Sequence, residues 1–308
     1  MRRHQRTPIS GSFLFVHCGV PIVKNIFMTK FISFRNRAAW ALTVSFVGLA
    51  AAEHASAVSQ IPVPHRAIYK IDLSDSQESS GVTSAEGRMV FEIAGNACEG
   101  YTMSQRLVVW MGNGDEGDQL LDFRVSTFES GDGGLYRFSS RTYLDDRIVE
   151  QATGTAERKP GSVEVALDNP DKKSLSFESS VMFPSQHLHA LLAAARSDQR
   201  FFSTGIYEGA GQGERADTVT AVIGSAERGD DPDGLISGKK AWPVSIAYFS
   251  EDGSKEDKTG EEVPDYQMSF VLFENGVAGD LQMNYGDYIL SGKLEKLDAL
   301  DTSECAAR

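Results

Sequence analysis

The sequence predicts an all-β, mainly antiparallel protein carrying one α-helix. Three observations predict it. Apolar residues alternate at period two in segment after segment, short turn-forming clusters separate those segments, and a single stretch has helical spacing instead.

The first 57 residues stand apart from this pattern. They carry seven Lys/Arg and one acid, a net of +6, whereas the rest of the 308-residue chain carries a net of −19. Lys30, Arg35 and Arg37 precede an apolar run of 15 residues from Ala38 to Ala52, and Ala55-Ser56-Ala57 supplies the small-x-small pattern of a cleavage site. Fifteen residues fall short of the ~20 needed to span hydrocarbon. Residues 1–57 are therefore expected to be an upstream extension plus a signal peptide, with Met28 as the true start and cleavage near Ala57. Residues 58–308 are expected to form a single domain in the periplasm, without a membrane span. A body of that acidity repels phosphate backbones, which disfavours nucleic acid as a partner, and the net charge argues equally against anionic membranes.

In chain order, candidate strands fall at 67–74, 88–94, 101–111, 136–144, 147–157, 162–167 and 175–182. Leu121, Phe123 and Val125 alternate with Asp122, Arg124 and Ser126. Trp242, Val244, Ile246 and Tyr248 repeat the pattern, as do Tyr266, Met268, Phe270 and Leu272, then Leu281, Met283 and Tyr285. Gly112-Asn113-Gly114, Gly131-Asp132-Gly133-Gly134 and Lys159-Pro160-Gly161 separate the runs. Asn275-Gly276, lying between two alternating segments, is the strongest hairpin signal. Short connections among about a dozen strands mean an antiparallel meander. The exception is 184–196, where Leu188, Leu191, Leu192 and Ala195 form one apolar stripe at i, i+3, i+4 and i+7 behind Ser185 as N-cap. That helix is expected to cover an open sheet face or plug a barrel end. Residues 205–213 and 227–240 read as glycine- and acid-rich loops, and 251–263 as a charged hairpin tip.

Signatures of chemistry are few. There is no G-x-S-x-G elbow, no His-Glu-x-x-His and no P-loop, so no catalytic residues and no cofactor are assigned. His187 and His189 stand two apart on the helix, about 160° from each other, and cannot share a metal. Asp230-Asp231-Pro232-Asp233-Gly234 and the set Asn113, Asp115 and Asp118 lack EF-hand spacing and read as acidic surface turns, so no metal is assigned either. Asp198 and Glu208 have no partner in the sequence that would mark them as a glycosidase pair. Of three cysteines, Cys18 leaves with the signal segment. Cys98 and Cys305 remain, and an even pair in an exported protein reads as a disulfide. A redox or metal pair is the rival, but no Cys-x-x-Cys and no third ligand accompanies them.

Several short runs are familiar together. Pro64-His65-Arg66-Ala67-Ile68-Tyr69, Cys98-Glu99-Gly100-Tyr101, Phe183-Pro184-Ser185-Gln186-His187-Leu188, Ala241-Trp242-Pro243-Val244-Ser245, Asn275-Gly276-Val277 and Asn284-Tyr285-Gly286-Asp287-Tyr288, followed by Cys305, resemble the EipB family of Gram-negative cell envelope integrity proteins. The resemblance runs in order over about residues 60–305. It implies a monomeric periplasmic β-spiral, an open curled barrel of roughly 12–14 strands around one helix, with a disulfide joining Cys98 and Cys305. It also implies a role in the envelope under stress and brings no catalytic residues. Two modes of action are then expected as alternatives. A non-enzymatic factor would act through contacts with an envelope protein partner. A lipid or lipoprotein-acyl carrier would use a cleft between sheet and helix lined by Phe183, Leu188, Leu192, Phe201 and Phe202. A large apolar cavity favours the second, a filled core the first.

Overall fold

The computed structural model describes residues 62–114, 117–228, 234–250, 255–256 and 262–301. The signal segment, Asp115, the run from Asp230 to Asp233 and Cys305 lie outside the described residues.

The N-terminal half is a meander of β1 (His65–Ser76), β2 (Val82–Asn96), β3 (Gly100–Asn113), β4 (Gln119–Glu129), β5 (Leu135–Leu144), β6 (Arg147–Lys159), β7 (Ser162–Asn169) and β8 (Lys173–Glu178). Helix α1 (Pro184–Arg196) follows. The C-terminal half continues with β9 (Phe201–Ile206), β10 (Asp217–Ile223), β11 (Glu227–Arg228), β12 (Lys240–Phe249), β13 (Lys255–Glu256) and β14 (Glu262–Val263). It ends with β15 (Tyr266–Phe273), β16 (Ala278–Asn284) and β17 (Tyr288–Ala299). Fifteen strands make one sheet in the order β8-β7-β6-β5-β4-β3-β2-β1-β17-β16-β15-β12-β10-β9, with β11 attached to β12, while β13 and β14 pair separately. The expected all-β architecture of antiparallel strands around a single helix is thus what the chain forms, with fourteen strands along the main path.

The path explains the curl. The chain leaves the sheet at edge β8, passes through α1 and re-enters at the opposite edge β9. The link between them is tight: Met182 forms a parallel bridge to Ile206, with Met182 N–H donating to Gly205 O at 2.9 Å and Tyr207 N–H donating to Met182 O at 2.9 Å. The 175–182 strand expectation ends early for this reason, because Met182 serves the other edge.

Asn275-Gly276 forms the β15–β16 turn, Gly276 taking φ +88°. Asn275 Nδ2 donates to Leu235 O at 2.8 Å and ties the turn to the segment before β12. Pro243, which has no N–H to give a sheet ladder, falls in the interval between two partners of β12: β10 ends at the pair Ile223–Val244 and β11 begins at Glu227–Ala241.

The helix occupies the bounds that its periodicity sets, but its N-cap differs from expectation. The cap position is Phe183, in extended backbone ahead of Pro184 at the first helical position. Phe183 is fully buried and its side chain has no acceptor to offer. Glu129 of β4 does the capping from outside the helix, its Oε2 accepting from Ser185 N–H at 2.8 Å. Gln186 Oε1 accepts from Phe183 N–H at 3.0 Å and from Arg158 at 2.9 Å, and the Arg158 guanidinium lies 5.2 Å from the Phe183 ring centre. Burial raises the Glu129 carboxyl pKa, while the Ser185 and Gln186 donors and the Arg158 charge oppose that rise. Leu191 and Leu192, each 1% exposed, pack with Ala194 and Ala195 onto Val219 and Ala221 of β10 and onto Trp242, Val244 and Ile246 of β12. Burying each leucine contributes about 1.5–3 kcal/mol.

Candidate functional site

Three regions of the concave sheet face are filled differently. The first lies under α1 and is packed solid. The second joins Tyr136, Phe138, Val163, Val165 and Phe183 to Tyr207, which together form an aromatic core under β5–β7. The third, across β12, β15, β16 and β17, carries aromatic and thioether side chains that pack against the core yet keep some accessible surface.

Alternation sends Tyr248, Tyr266, Tyr285 and Tyr288 to the same face, and the register lines them up. Tyr248 pairs directly with Tyr266. Ring centres then follow at 5.5 Å (Tyr248–Tyr266), 5.1 Å (Tyr266–Tyr285) and 5.0 Å (Tyr285–Tyr288). Directly opposed aromatic pairs stabilise neighbouring strands, so the row braces the sheet as well as lining it. Each tyrosine keeps accessible surface, yet burial pushes all four phenols up in pKa. Protein surrounds these rings without covering them completely. Met111, Phe123, Met268 and Phe270 share the condition: all are partly buried against the β1–β3 and β16–β17 core.

A loop from Tyr207 to Gly213 enters this interior. Tyr136 Oη donates to Glu208 O at 3.0 Å, Ser140 Oγ to Gly209 O at 3.2 Å and Tyr207 Oη to Gly213 O at 2.7 Å. Two hydroxyls of β5 and one of the loop's own thus fix its backbone. It brings Glu208 beside the start of β10, where Asp217 faces Arg215 at 3.6 Å. Burial, helped by the Asp217 charge, pushes the Glu208 carboxyl up to about 7. Burial lowers Arg215, opposed by the charges of Asp217 and Asp265. The interior is therefore aromatic and thioether-lined along one wall, with a carboxyl held close to neutral at its end.

The residues singled out from sequence are distributed as follows. Leu192 is fully buried under the helix, and Leu188 and Phe202 pack half-buried against the same cluster. Phe183 belongs to the aromatic core instead. Phe201 lies on the other face of β9 and is 72% exposed. His187 is buried against Phe202, with ring centres 5.8 Å apart, and desolvation lowers it to about 4. His189 is exposed and lies 5.9 Å from Tyr101. Cys98 sits in the β2–β3 turn, its N–H donating to Asn96 Oδ1 at 2.7 Å. Among the described residues no three His, Cys, Asp or Glu side chains group as metal ligands do. The sequence reading set Glu208 aside for want of a partner and missed the tyrosine row: Tyr248, Tyr266 and Tyr285 show as alternating positions, but nothing in one chain tells which strands adjoin.

These features define a class, the open, curled, β-barrel-like proteins in which one long unclosed sheet wraps a helix. A family model described as EipB-like matches residues 55–301, and the chain belongs to that family. It is 34% identical over 279 residues to the cell envelope integrity protein EipB of Brucella abortus (strain 2308), covering 89% of this chain and 97% of that protein. A crystal structure of a beta-barrel-like protein, of a domain of unknown function from Brucella abortus, superposes with a TM-score of 0.71 at 35% identity. The match covers 79% of this chain and all of that one.

Proposed function

We propose that this protein is a non-catalytic factor of the periplasm that maintains envelope integrity by holding an acyl chain against the tyrosine-lined interior. The observation that carries the mode of action is the row Tyr248–Tyr266–Tyr285–Tyr288 with Met268 and Phe270, packed along the core yet each left partly accessible. The envelope role rests on the relative named for it. The periplasmic location rests on residues 1–57, and N-terminal sequencing of protein from periplasm should begin near Val58. A disulfide between Cys98 and Cys305 belongs to the same proposal.

Native mass spectrometry of protein purified gently from periplasm tests the guest: a bound species of lipid mass is expected, and a clean apo mass counts against it. In solution, the fluorescent probe N-phenyl-1-naphthylamine should bind. Met268→Glu, which sets a charge on the apolar wall, should weaken that binding about tenfold or more with little change in melting temperature. Cells lacking the gene should be sensitised to detergents and wall-targeting antibiotics, and Met268→Glu should fail to restore them.

One observation favours a second mode, contact with an envelope protein. Phe201 and Val222 are directly paired on the outer face at edge β9 and are 72% and 48% exposed. A solvated apolar pair beside an open strand edge suits an added strand from a partner. A co-purifying protein without lipid in the same mass spectrum would select this mode.

A further inference from the structure

The convex face of β17 and β1–β5 carries charge opposite to the body's. Register places Lys293, Lys70 and Arg88 directly opposite one another across β17, β1 and β2. In the adjoining row Arg106, Arg124 and Arg141 stand directly opposite across β3, β4 and β5. Like charges facing each other across a ladder destabilise a sheet, so folding does not call for these rows. Carboxylates offset part of them: Asp122 binds Arg106 and Arg124 at 2.8 and 2.6 Å, Asp72 binds Lys70 at 2.8 Å and Glu295 binds Arg88 at 3.1 Å. Arg141 and Lys293, both exposed, have no carboxylate within bonding distance among the described residues.

Two features adjoin the rows. Lys70, Arg88, Lys293 and Lys296 line an open groove of about 700 Å³. Beyond the arginine row the same face exposes Trp110 (57%) and Ile148 (51%), the latter directly opposite Tyr143, two residues along β5 from Arg141. Fixed cations beside bare tryptophan and aliphatic side chains match a surface that is anionic outside and hydrocarbon within. A soluble polyanion would leave the apolar side chains unused. The face is six strands wide, about 24 Å, enough to cover several lipid headgroups.

We infer that this convex face seats on an anionic phospholipid surface, the arginine row and groove cations meeting phosphates while Trp110 and Ile148 enter the interface. Arginine suits the role because its planar fork takes a phosphate through two hydrogen bonds, and tryptophan because it settles at the headgroup level. The net charge of the whole body argues against membranes, but at physiological salt a local patch is felt within about 8 Å and distant acids are screened.

The test is co-sedimentation of the processed chain with vesicles of phosphatidylglycerol and phosphatidylcholine, against pure phosphatidylcholine. Binding is expected to the anionic vesicles only and to be lost at high salt. Arg141→Ser with Lys293→Ser should weaken it about 30-fold, since each cation near the surface is worth about 1 kcal/mol. Trp110 emission should shift to shorter wavelength on binding, while Trp242, 1% exposed, stays constant. The shift should vanish in Trp110→Phe. Equal binding to both vesicles, an unweakened double variant with a native melting temperature, or a shift that survives Trp110→Phe would each overturn the inference. Met268→Glu should bind vesicles as the native chain does, so failure of the interior-guest reading is seen separately.

Discussion

Replacing Cys98 or Cys305 with serine is expected to lower stability by about 3–5 kcal/mol while leaving the sheet assembled. β17 ends at Ala299, paired with His65, and Leu300 N–H donates to Pro64 O at 3.0 Å. His65 is also paired with Ile93 near the end of β2, so the chain leaves β17 at the same end of the sheet as the turn holding Cys98. Two strand spacings and the three residues by which β2 runs past Ile93 separate them, about 14 Å, and the five Cα steps from Leu300 to Cys305 reach up to about 17 Å. A loop of about 200 residues closed by this bond is worth about 5 kcal/mol in the chain-entropy account. Urea unfolding with and without reductant measures the loss, and alkylation before and after reduction shows the pairing. A native midpoint unmoved by reductant would remove the bond from the account.

Glu208→Gln is expected to act in the opposite direction, stabilising the protein by about 3 kcal/mol at pH 8 and leaving it unchanged near pH 4. The Glu208 carboxyl is pushed up to about 7, mainly by burial and then by the charge of Asp217. A carboxyl raised in the folded state holds its proton there longer than in the unfolded chain. Between about pH 4.5 and 7 the native state therefore binds more protons, and stability falls as pH rises through that window before levelling off. Each unit of difference is worth 1.36 kcal/mol. Glutamine keeps the shape and removes the ionisation, so the variant's stability should stay flat where the native curve descends. Parallel curves would mean that water reaches Glu208 and pays its solvation.

What one chain can and cannot display follows from the range of each interaction. The helix was legible to the residue because Leu188, Leu191, Leu192 and Ala195 and the proline before them are local signals. Asn275-Gly276 marked its hairpin for the same reason. β9 and β10 escaped notice because they are short and adjoin glycine-rich stretches, and β17 because Lys293, Glu295 and Lys296 interrupt its apolar positions. Ser185 was a reasonable cap by type, but Glu129, 56 residues earlier in the chain, holds that place through the sheet. The candidate cleft followed the helix's apolar stripe, where the structure packs Leu192 against β10 and β12. The accessible wall lies further along, in residues whose common row is set by register across four strands. Register is decided by pairing, which no single strand encodes alone.

The junction of β1 with β17 has a consequence for how such a chain is made. The hydroxyl of Tyr69 in β1 donates to Ala278 O at 2.6 Å, across 209 residues of sequence. Synthesis runs from the N-terminus, so the β1–β8 wing is complete while the strand that will cover the outer side of β1 has yet to be built. For that interval β1 is a bare twelve-residue border, open to neighbours as well as to its own unborn partner. Pairings that distant are slow to form. The molecule is most open to misassembly at the seam that later lies in the middle of its sheet, and cells making it quickly gain most from a chaperone that shields that border.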